Sequence, residues 1–460
     1  MKAANRNLLW AKVLVDELAR SGLRAACLAP GSRSTPLAIA FAEQPDITVC
    51  SLIDERSCAF FALGLALASQ QPVAMVCSSG TATANFYPAI IEARYSGVPL
   101  LVLTADRPPE LRDSGANQTV DQVKMYGDHA LWSVDVALPE AQPPALALRN
   151  LRTLANRAYA TAAGRPSGAV HLNFPFRKPL EPTPAAGDVT EAADMRDAGL
   201  PHTRFWRATM PPAREMIGWL GDVLHHAPRG LIVCGPRCPT GDFPVRLAAL
   251  ARATGYPVLA DATSGVRWGA HQHHLILGGG DSFLREAKGW RSPDVVLHFG
   301  ATPTSQAVDD YLNAITPQRR VWVSEDGIWK DANHLATDFL QVDAAALCAE
   351  LAESLAHHPN ASDSDWAQQF RDAESLTWGT VEDALDGDYF DGLVLADVID
   401  LLPDPAVLFV ASSLPVRNLE QFGRPGSKAI RVFANRGASG IDGTISSALG
   451  AAVANPDVPL

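Results

Sequence analysis

The 460 residues contain no run of lysine or arginine, and acidic side chains outnumber basic ones by 50 to 38. That balance argues against a nucleic-acid partner, because phosphate binding needs a basic face. Anionic ligands must be met by single, well-placed arginines. The first residues carry no pattern expected of a leader or a membrane span either. The N-terminus, MKAANRNLLWAKVLVDELARSG, is broken by Lys12, Asp16 and Glu17, so it reads as an amphipathic helix and neither a signal peptide nor a spanning segment. Cysteine is sparse. Cys27, Cys50, Cys58, Cys77, Cys234, Cys238 and Cys348 lack the paired short spacings of a zinc site or a disulfide scaffold. Only Cys234 and Cys238 are close in sequence, and they make a poor ligand set. A reducing cytoplasm fits this usage.

What is present is an ordinary apolar fraction, 47% hydrophobic with 19% charged, long enough for about three domains. In the first 180 residues, RAACLAP, DITVCSLI, PVAMVCS, PLLVLTA and GAVHLNFP read as strands. Between them TPLAIAFAEQ, SCAFFALGLALASQ and TATANFYPAIIEARYSG read as helices that cross back over a parallel sheet. Polar loops follow the strands: GSRS at 31–34, DER at 54–56, SGT at 79–81 and DRPPE at 106–110. In an open parallel sheet ligands bind outside the carboxyl ends of the strands, so these loops should converge on one rim. Asp54 and Glu55 stand at one such seam, where capping and first-turn charge already account for two carboxylates.

A Pro/Ala-rich linker near 181–205 follows. GLIVCG, PVLADAT, DVVLHFG and RVWVSED then announce a second α/β domain. Its HQHHL at 271–275 reads as an exposed loop sooner than a metal site. After the linker HHPNASDSD comes a third α/β start, through VLADVIDLL, AVLFVASS, AIRVFA and NRGASGIDGTISSALGAAVANP. The expected organisation is three doubly wound parallel-sheet α/β domains over 1–182, 205–350 and 365–460. The last is expected to be incomplete, because DVPL opens a strand pattern that does not continue and would leave an unpaired edge.

LAPGSRSTPLA, DERSCAFFALGLA, SSGTATANFYPAIIEA, LTADRPPELRDSGANQT and NRGASGIDGTISSALG resemble the thiamine-diphosphate-enzyme family. Within it, they resemble the synthases of menaquinone (or phylloquinone) biosynthesis. The resemblance covers both outer domains, whereas the middle one matches only in pattern. It implies decarboxylation of 2-oxoglutarate and addition of the resulting four-carbon unit to isochorismate. It also implies a thiamine diphosphate cofactor with Mg²⁺ or Mn²⁺, and a cytoplasmic homodimer or homotetramer. An acetolactate-synthase-type enzyme and a non-catalytic truncated paralogue are the alternatives. CGPRCPTGD lacks a clear glycine-rich FAD loop, which disfavours the former.

By the same resemblance Glu55 is the catalytic carboxylate that hydrogen-bonds N1′ of the cofactor's aminopyrimidine, with Asp54 left as the helix cap. An apolar wall around Glu55, for which CAFFALG is the candidate, would help it share a proton with that ring. Ile441 is the residue on which the cofactor folds into a V, and Ser32, Thr81, Gln118 and Ser413 are polar contacts to the cofactor. Arg33, Arg107, Arg417 and Arg436, with Asn117 and Gln118, bind substrate. Two-point carboxylate binding is what guanidinium supplies. Relatives carry a basic residue or pair after the DVVLHFG strand where this chain has Gln306 and Ala307. The Asp and Asn that hold the metal in such enzymes are expected beyond Leu460, so no metal ligand is assigned.

Overall fold

The computed structural model describes residues 2–192, 199–357, 363–385, 387 and 389–460. The linker read at HHPNASDSD falls largely, and that near 181–205 partly, outside them. The chain forms two compact units, one of Met1–Arg207 with Asn435–Asp457 and one of Ala208–Ala434 with Val458–Leu460.

The first unit runs α1 (Arg6–Ser21), β1 (Ala25–Leu28), α2 (Thr35–Ala42), β2 (Thr48–Ser51), α3 (Glu55–Ser69), β3 (Val73–Cys77), α4 (Thr81–Asn85), α5 (Tyr87–Ser96), β4 (Leu100–Asp106), β5 (Ala130–Asp135), α6 (Ala145–Ala162) and β6 (Ala169–Pro175). Its six strands lie in the order β2-β1-β3-β4-β6-β5, and every pair is parallel. A parallel sheet covered on both faces needs strands that are apolar throughout. VAMVC of β3, LLVLTAD of β4 and AVHLNFP of β6 are buried at every position. β5 and α6 complete this sheet and were not read from the sequence. ALWSVD of β5 is only half-buried at the edge, so it lacks the apolar run that marks the central strands.

One face of the sheet packs against α1, α2 and α6 around Leu14, Leu18, Phe41, Leu101, Leu151 and Phe174. The stretch after β6 is strapped down as well. Asn5 Nδ2 donates to the carbonyls of Glu181 and Thr183 at 2.8 and 3.0 Å, and Asp188 accepts from Arg6. What the composition suggested was a linker is, up to residue 192, part of this packing.

In the second unit α7 (Arg214–His225), β7 (Gly230–Cys234), α8 (Phe243–Thr254), β8 (Val258–Ala260), β9 (Ile276–Leu277), α9 (Gly280–Phe283), β10 (Val295–Phe299), α10 (Gln306–Ala314), β11 (Arg319–Ser324), β12 (Asp338–Gln341) and α11 (Ala344–His357) come first. They build a second six-stranded parallel sheet in the order β12-β11-β10-β7-β8-β9. α12 (Ser364–Leu385) and α13 (Asp391–Leu401) follow. A two-stranded parallel pair, β13 (Ala406–Phe409) and β14 (Ile430–Phe433), flanks α14 (Leu414–Phe422). Near the chain's end the Val407 N–H of β13 donates to the Pro459 carbonyl at 2.8 Å.

The HQHHL loop is less exposed than its composition suggests. His271 and His273 are half-buried against the carbonyls of Val266 and Ala248, at 2.7 and 3.2 Å, and only His274 is exposed. Burial pushes the His273 pKa down to about 4, which suits a neutral ring bonded to a carbonyl.

The last helix, α15 (Thr444–Val453), returns to the first unit and lies along α3. The approach is close because both surfaces are small. A Cβ on Gly64 would stand 1.9 Å from the Ser447 carbonyl oxygen, and one on Gly450 2.0 Å from that of Phe61. Neither obstacle is a side chain that could rotate away, so glycine is required at both positions.

Candidate active site

The carboxyl ends of β1, β3 and β4 carry three of the loops that the sequence singled out. After β1, Ser32 is exposed in a single 3₁₀ turn, and Arg33 turns inward. Arg33 is buried and its Nη1 donates to the Phe176 carbonyl at 2.7 Å. No acceptor among the described residues reaches its buried Nε. After β4, Arg107 spans two loops: Nη1 reaches Ser79 Oγ at 2.5 Å and Nη2 the Asn117 carbonyl at 2.8 Å. Gln118, in a left-handed conformation, donates from Nε2 to the Ser79 carbonyl at 2.9 Å. Thr81 is exposed as the first residue of α4.

Burial first, and then the positive charge of Arg107, pulls the Arg33 pKa below the ordinary arginine value, with Asp106 opposing. Two guanidinium groups therefore converge on one spot without full compensation. A carboxylate-bearing ligand is what such a pair accepts.

The supports of this rim were missed in the sequence. Asp106 is buried and accepts from Asn173 Nδ2 and Arg112 Nη2, each at 2.9 Å, and from the Arg107 backbone N–H at 2.7 Å. Gln122 is also buried. It accepts from the Gly80 N–H at 2.9 Å and donates to the Ala105 carbonyl and to Asn173. Asp106 was visible inside DRPPE, but nothing in spacing or type separates Gln122 from other loop glutamines.

Glu55 opens α3, one residue after the N-cap. Asp54 performs the capping, accepting the Ser57 N–H at 2.9 Å. That bond is the main reason its pKa lies below the usual carboxylate value. Glu55 is left without that duty. Cys58, Ala59 and Phe60 turn into the core, whereas Glu55 itself stays half-exposed and Ile53 is 90% exposed. The apolar wall expected around Glu55 is thus directed inward.

Over the first turns of α3 lies the loop 435–443. Ser447 Oγ donates to the Phe60 carbonyl at 3.1 Å, and Gly443 sits on the Phe60 ring. The loop carries Arg436, half-buried with an Nε that no acceptor among the described residues reaches, and Ile441, 71% exposed. The loop that carries Arg436 and Ile441 is thus held against α3 and α5 of the first unit. Ser413 and Arg417 belong to the second unit. Ser413 precedes α14 at φ 72°, and both are exposed. Left-handed backbone at a non-glycine residue is strained and frequent at ligand sites.

No group of three or more His, Cys, Asp or Glu among the described residues is arranged to hold a metal ion. No helix among them is long and apolar enough to cross a membrane.

Residues 10–125 match the family described as "Thiamine pyrophosphate enzyme, N-terminal TPP binding domain", and residues 221–410 the "Middle domain of thiamine pyrophosphate" family. Among solved structures, the Rhodococcus jostii RHA1 thiamine diphosphate-dependent 4-hydroxybenzoylformate decarboxylase superposes with a TM-score of 0.66 at 17% identity, covering 98% of this chain and 79% of that one. That is a likeness of fold. Domains and fold together define a thiamine-diphosphate enzyme.

Three relatives sharpen the class, each named 2-succinyl-5-enolpyruvyl-6-hydroxy-3-cyclohexene-1-carboxylate synthase. That of Roseiflexus castenholzii is 56% identical over 99% of this chain and 78% of its own length. Those of Roseiflexus sp. and Haloarcula marismortui are 53% and 47% identical with the same coverage. The chain belongs to this synthase family, thiamine-diphosphate-dependent transferases of menaquinone biosynthesis.

Proposed function

We propose that the chain decarboxylates 2-oxoglutarate and adds the resulting succinyl-semialdehyde carbanion to isochorismate, releasing CO₂ and 2-succinyl-5-enolpyruvyl-6-hydroxy-3-cyclohexene-1-carboxylate. The observation that carries this reading is the pair Arg33 and Arg107 at the strand ends, only partly balanced by Asp106, because both substrates are dianions. Bound thiamine diphosphate supplies the nucleophilic carbon and the electron sink that loss of CO₂ requires. The residues present fit its rings. Glu55 is half-exposed and spared from capping, so its carboxylate is free to hold a proton at N1′ of the aminopyrimidine. The exposed Ile441 side chain is a prop of the right bulk for a bent cofactor.

Arg33 and Arg107 grip carboxylate oxygens, Arg436 and Arg417 add further cations, and Asn117 and Gln118 orient the substrate. Ser32, Thr81, Gln118 and Ser413 contact the cofactor. A divalent cation, Mg²⁺ or Mn²⁺, completes the holoenzyme. The organisation we assign is a cofactor-ring domain at 1–182, a central domain at 205–350 and a diphosphate-side domain from 365. The working form is a cytoplasmic homodimer or homotetramer.

The test is a coupled assay of the purified chain with thiamine diphosphate, Mg²⁺, 2-oxoglutarate and isochorismate, with product identified by mass spectrometry. Product that requires both substrates is expected. Turnover of pyruvate in their place, or none with either, overturns the reading.

A further inference from the structure

Of the seven cysteines, six are buried and Cys50 alone is half-exposed. It lies on β2, at the edge of the first sheet, and its register partner on the neighbouring parallel strand β1 is another cysteine, Cys27. Side chains of paired residues on adjacent strands leave the sheet on the same side. Strands in a sheet run roughly 4.8 Å apart, inside the range of about 4.4–6.8 Å between Cα atoms that a disulfide spans. Register thus sets the two thiols side by side on one face of the sheet.

We infer that Cys27 and Cys50 form a peroxide-reactive dithiol, with Cys50 the attacking sulfur and Cys27 the resolving one. The roles follow from the environments. Cys50 is reachable from the sheet edge, while Cys27 is fully buried behind it. The neighbouring Cys27 thiol lowers the Cys50 pKa to about 7, against the opposing effect of its partial burial. Cys50 in turn, with burial, pushes that of Cys27 up. Cys58, on α3, faces both thiols, but burial first, and then the charge of Glu55, raise its pKa to about 12. Reactivity belongs to thiolates that solvent can reach, and Cys50 alone meets both conditions.

The chemistry balances without a metal. The Cys50 thiolate attacks one oxygen of hydrogen peroxide, breaking the O–O bond to give a sulfenic acid and hydroxide. The Cys27 sulfur then attacks the sulfenic sulfur and the S–O bond breaks. The Cys27 proton leaves with that oxygen as water, and the Cys27–Cys50 disulfide remains. Two thiols are oxidised and one peroxide is reduced. Cys50 lies in the strand that leads into the capping turn of α3, whose first residue is Glu55. The inference does not depend on the proposed reaction.

The test treats the purified chain with a small molar excess of hydrogen peroxide, with and without dimedone, then alkylates, digests and analyses it by mass spectrometry. Expected are a linked Cys27–Cys50 peptide, and a dimedone adduct on Cys50 that accumulates when Cys27 is replaced (Cys27→Ser). In Cys50→Ser, Cys27 should stay reduced. Protection of Cys58 and Cys77 from alkylation reports that each variant is folded. Oxidation of Cys50 no faster than that of the buried cysteines, or a linkage of Cys50 to Cys58, overturns the inference. Should Cys27→Ser prove unfolded, oxidation of Cys27 in folded Cys50→Ser overturns it equally.

Discussion

The Glu92 carboxylate holds Gly437. From α5 it accepts the N–H of Gly437 at 2.5 Å and of Ala438 at 2.8 Å, and it also takes the Ser96 hydroxyl at 2.5 Å. A buried acid inside the apolar helix YPAIIEARYS thus anchors the loop that presents Arg436 and Ile441. A Cβ on Gly437 would meet the Ser96 N at 2.6 Å and the Glu92 carbonyl at 2.7 Å, both backbone.

Glu92→Gln should cost about 1.5–3 kcal/mol, the range for hydrogen bonds to a charged group, because the amide turns a donor towards one of two N–H groups. The measurement is chemical denaturation with hydrogen exchange across 435–443. Exchange there should quicken ahead of the rest of the unit, and Gly437→Ala should act in the same direction. Unchanged exchange in 435–443 would show that Glu92 does not hold the loop.

Asp54 and Glu55 are adjacent carboxylates with separable duties. Asp54→Ala removes the bond to the Ser57 N–H and should lower stability by about 0.5–2 kcal/mol, the usual worth of an N-cap. Glu55→Gln should leave the melting temperature in place and slow turnover on the order of a hundredfold or more, because an amide cannot exchange a proton with the cofactor ring. Melting curves and steady-state rates on both variants separate the roles. Near-normal turnover in Glu55→Gln would remove Glu55 from the chemistry.

The strands of both large sheets were legible wherever they are buried on two faces, because a run such as VAMVC has no other good use. β5, β9 and β12 were not, since an edge strand or a two-residue strand carries little pattern. The rim loops were legible through Gly, Ser, Arg and Asp directly after strands. Gln122 and Glu92 were not, because each acts through a partner distant in sequence. The same holds for thiols. Cys234 and Cys238 drew notice for their short spacing, while the pairing of Cys27 with Cys50 depends on strand register, which single-chain spacing does not encode.

Arg107 and Arg417 differ in what else they do. Arg107→Ala removes bonds to Ser79 and Asn117 as well as a cation, whereas Arg417 is exposed on α14. Each loss should weaken substrate use by about 1.5–3 kcal/mol, read as kcat/KM for 2-oxoglutarate and isochorismate. Only Arg107→Ala should also loosen the loop around 117–118 in hydrogen exchange. Cofactor affinity should change much less in either variant. Equal losses of cofactor and substrate affinity would assign these arginines to the cofactor or the fold.

The pair Arg267–Glu420 ties α14 to the loop after β8 and should make the second unit's stability depend on pH. Arg267 is fully buried. Its Nη2 meets Glu420 Oε1 at 2.7 Å, its other donors reach the carbonyls of Ala260, Glu420 and Gly423, and Glu420 Oε2 takes the Ala262 N–H at 2.6 Å. Burial is the largest influence on Glu420 and raises its pKa from 4.5 to about 8, against the pull of Arg267. Between those two values the folded state keeps a proton that the unfolded chain has released, so this group's contribution to stability falls as pH rises through that window. Arg267→Met strands the carboxylate and leaves three carbonyls unpaired, for an expected loss of about 3–5 kcal/mol near and above pH 8. The loss should shrink towards pH 5, where Glu420 is neutral in either protein. Denaturant titrations of both proteins at several pH values check this. A loss that stays constant from pH 5 to 9 would mean that the arginine's hydrogen bonds to carbonyls, and not its charge against Glu420, hold α14 in place.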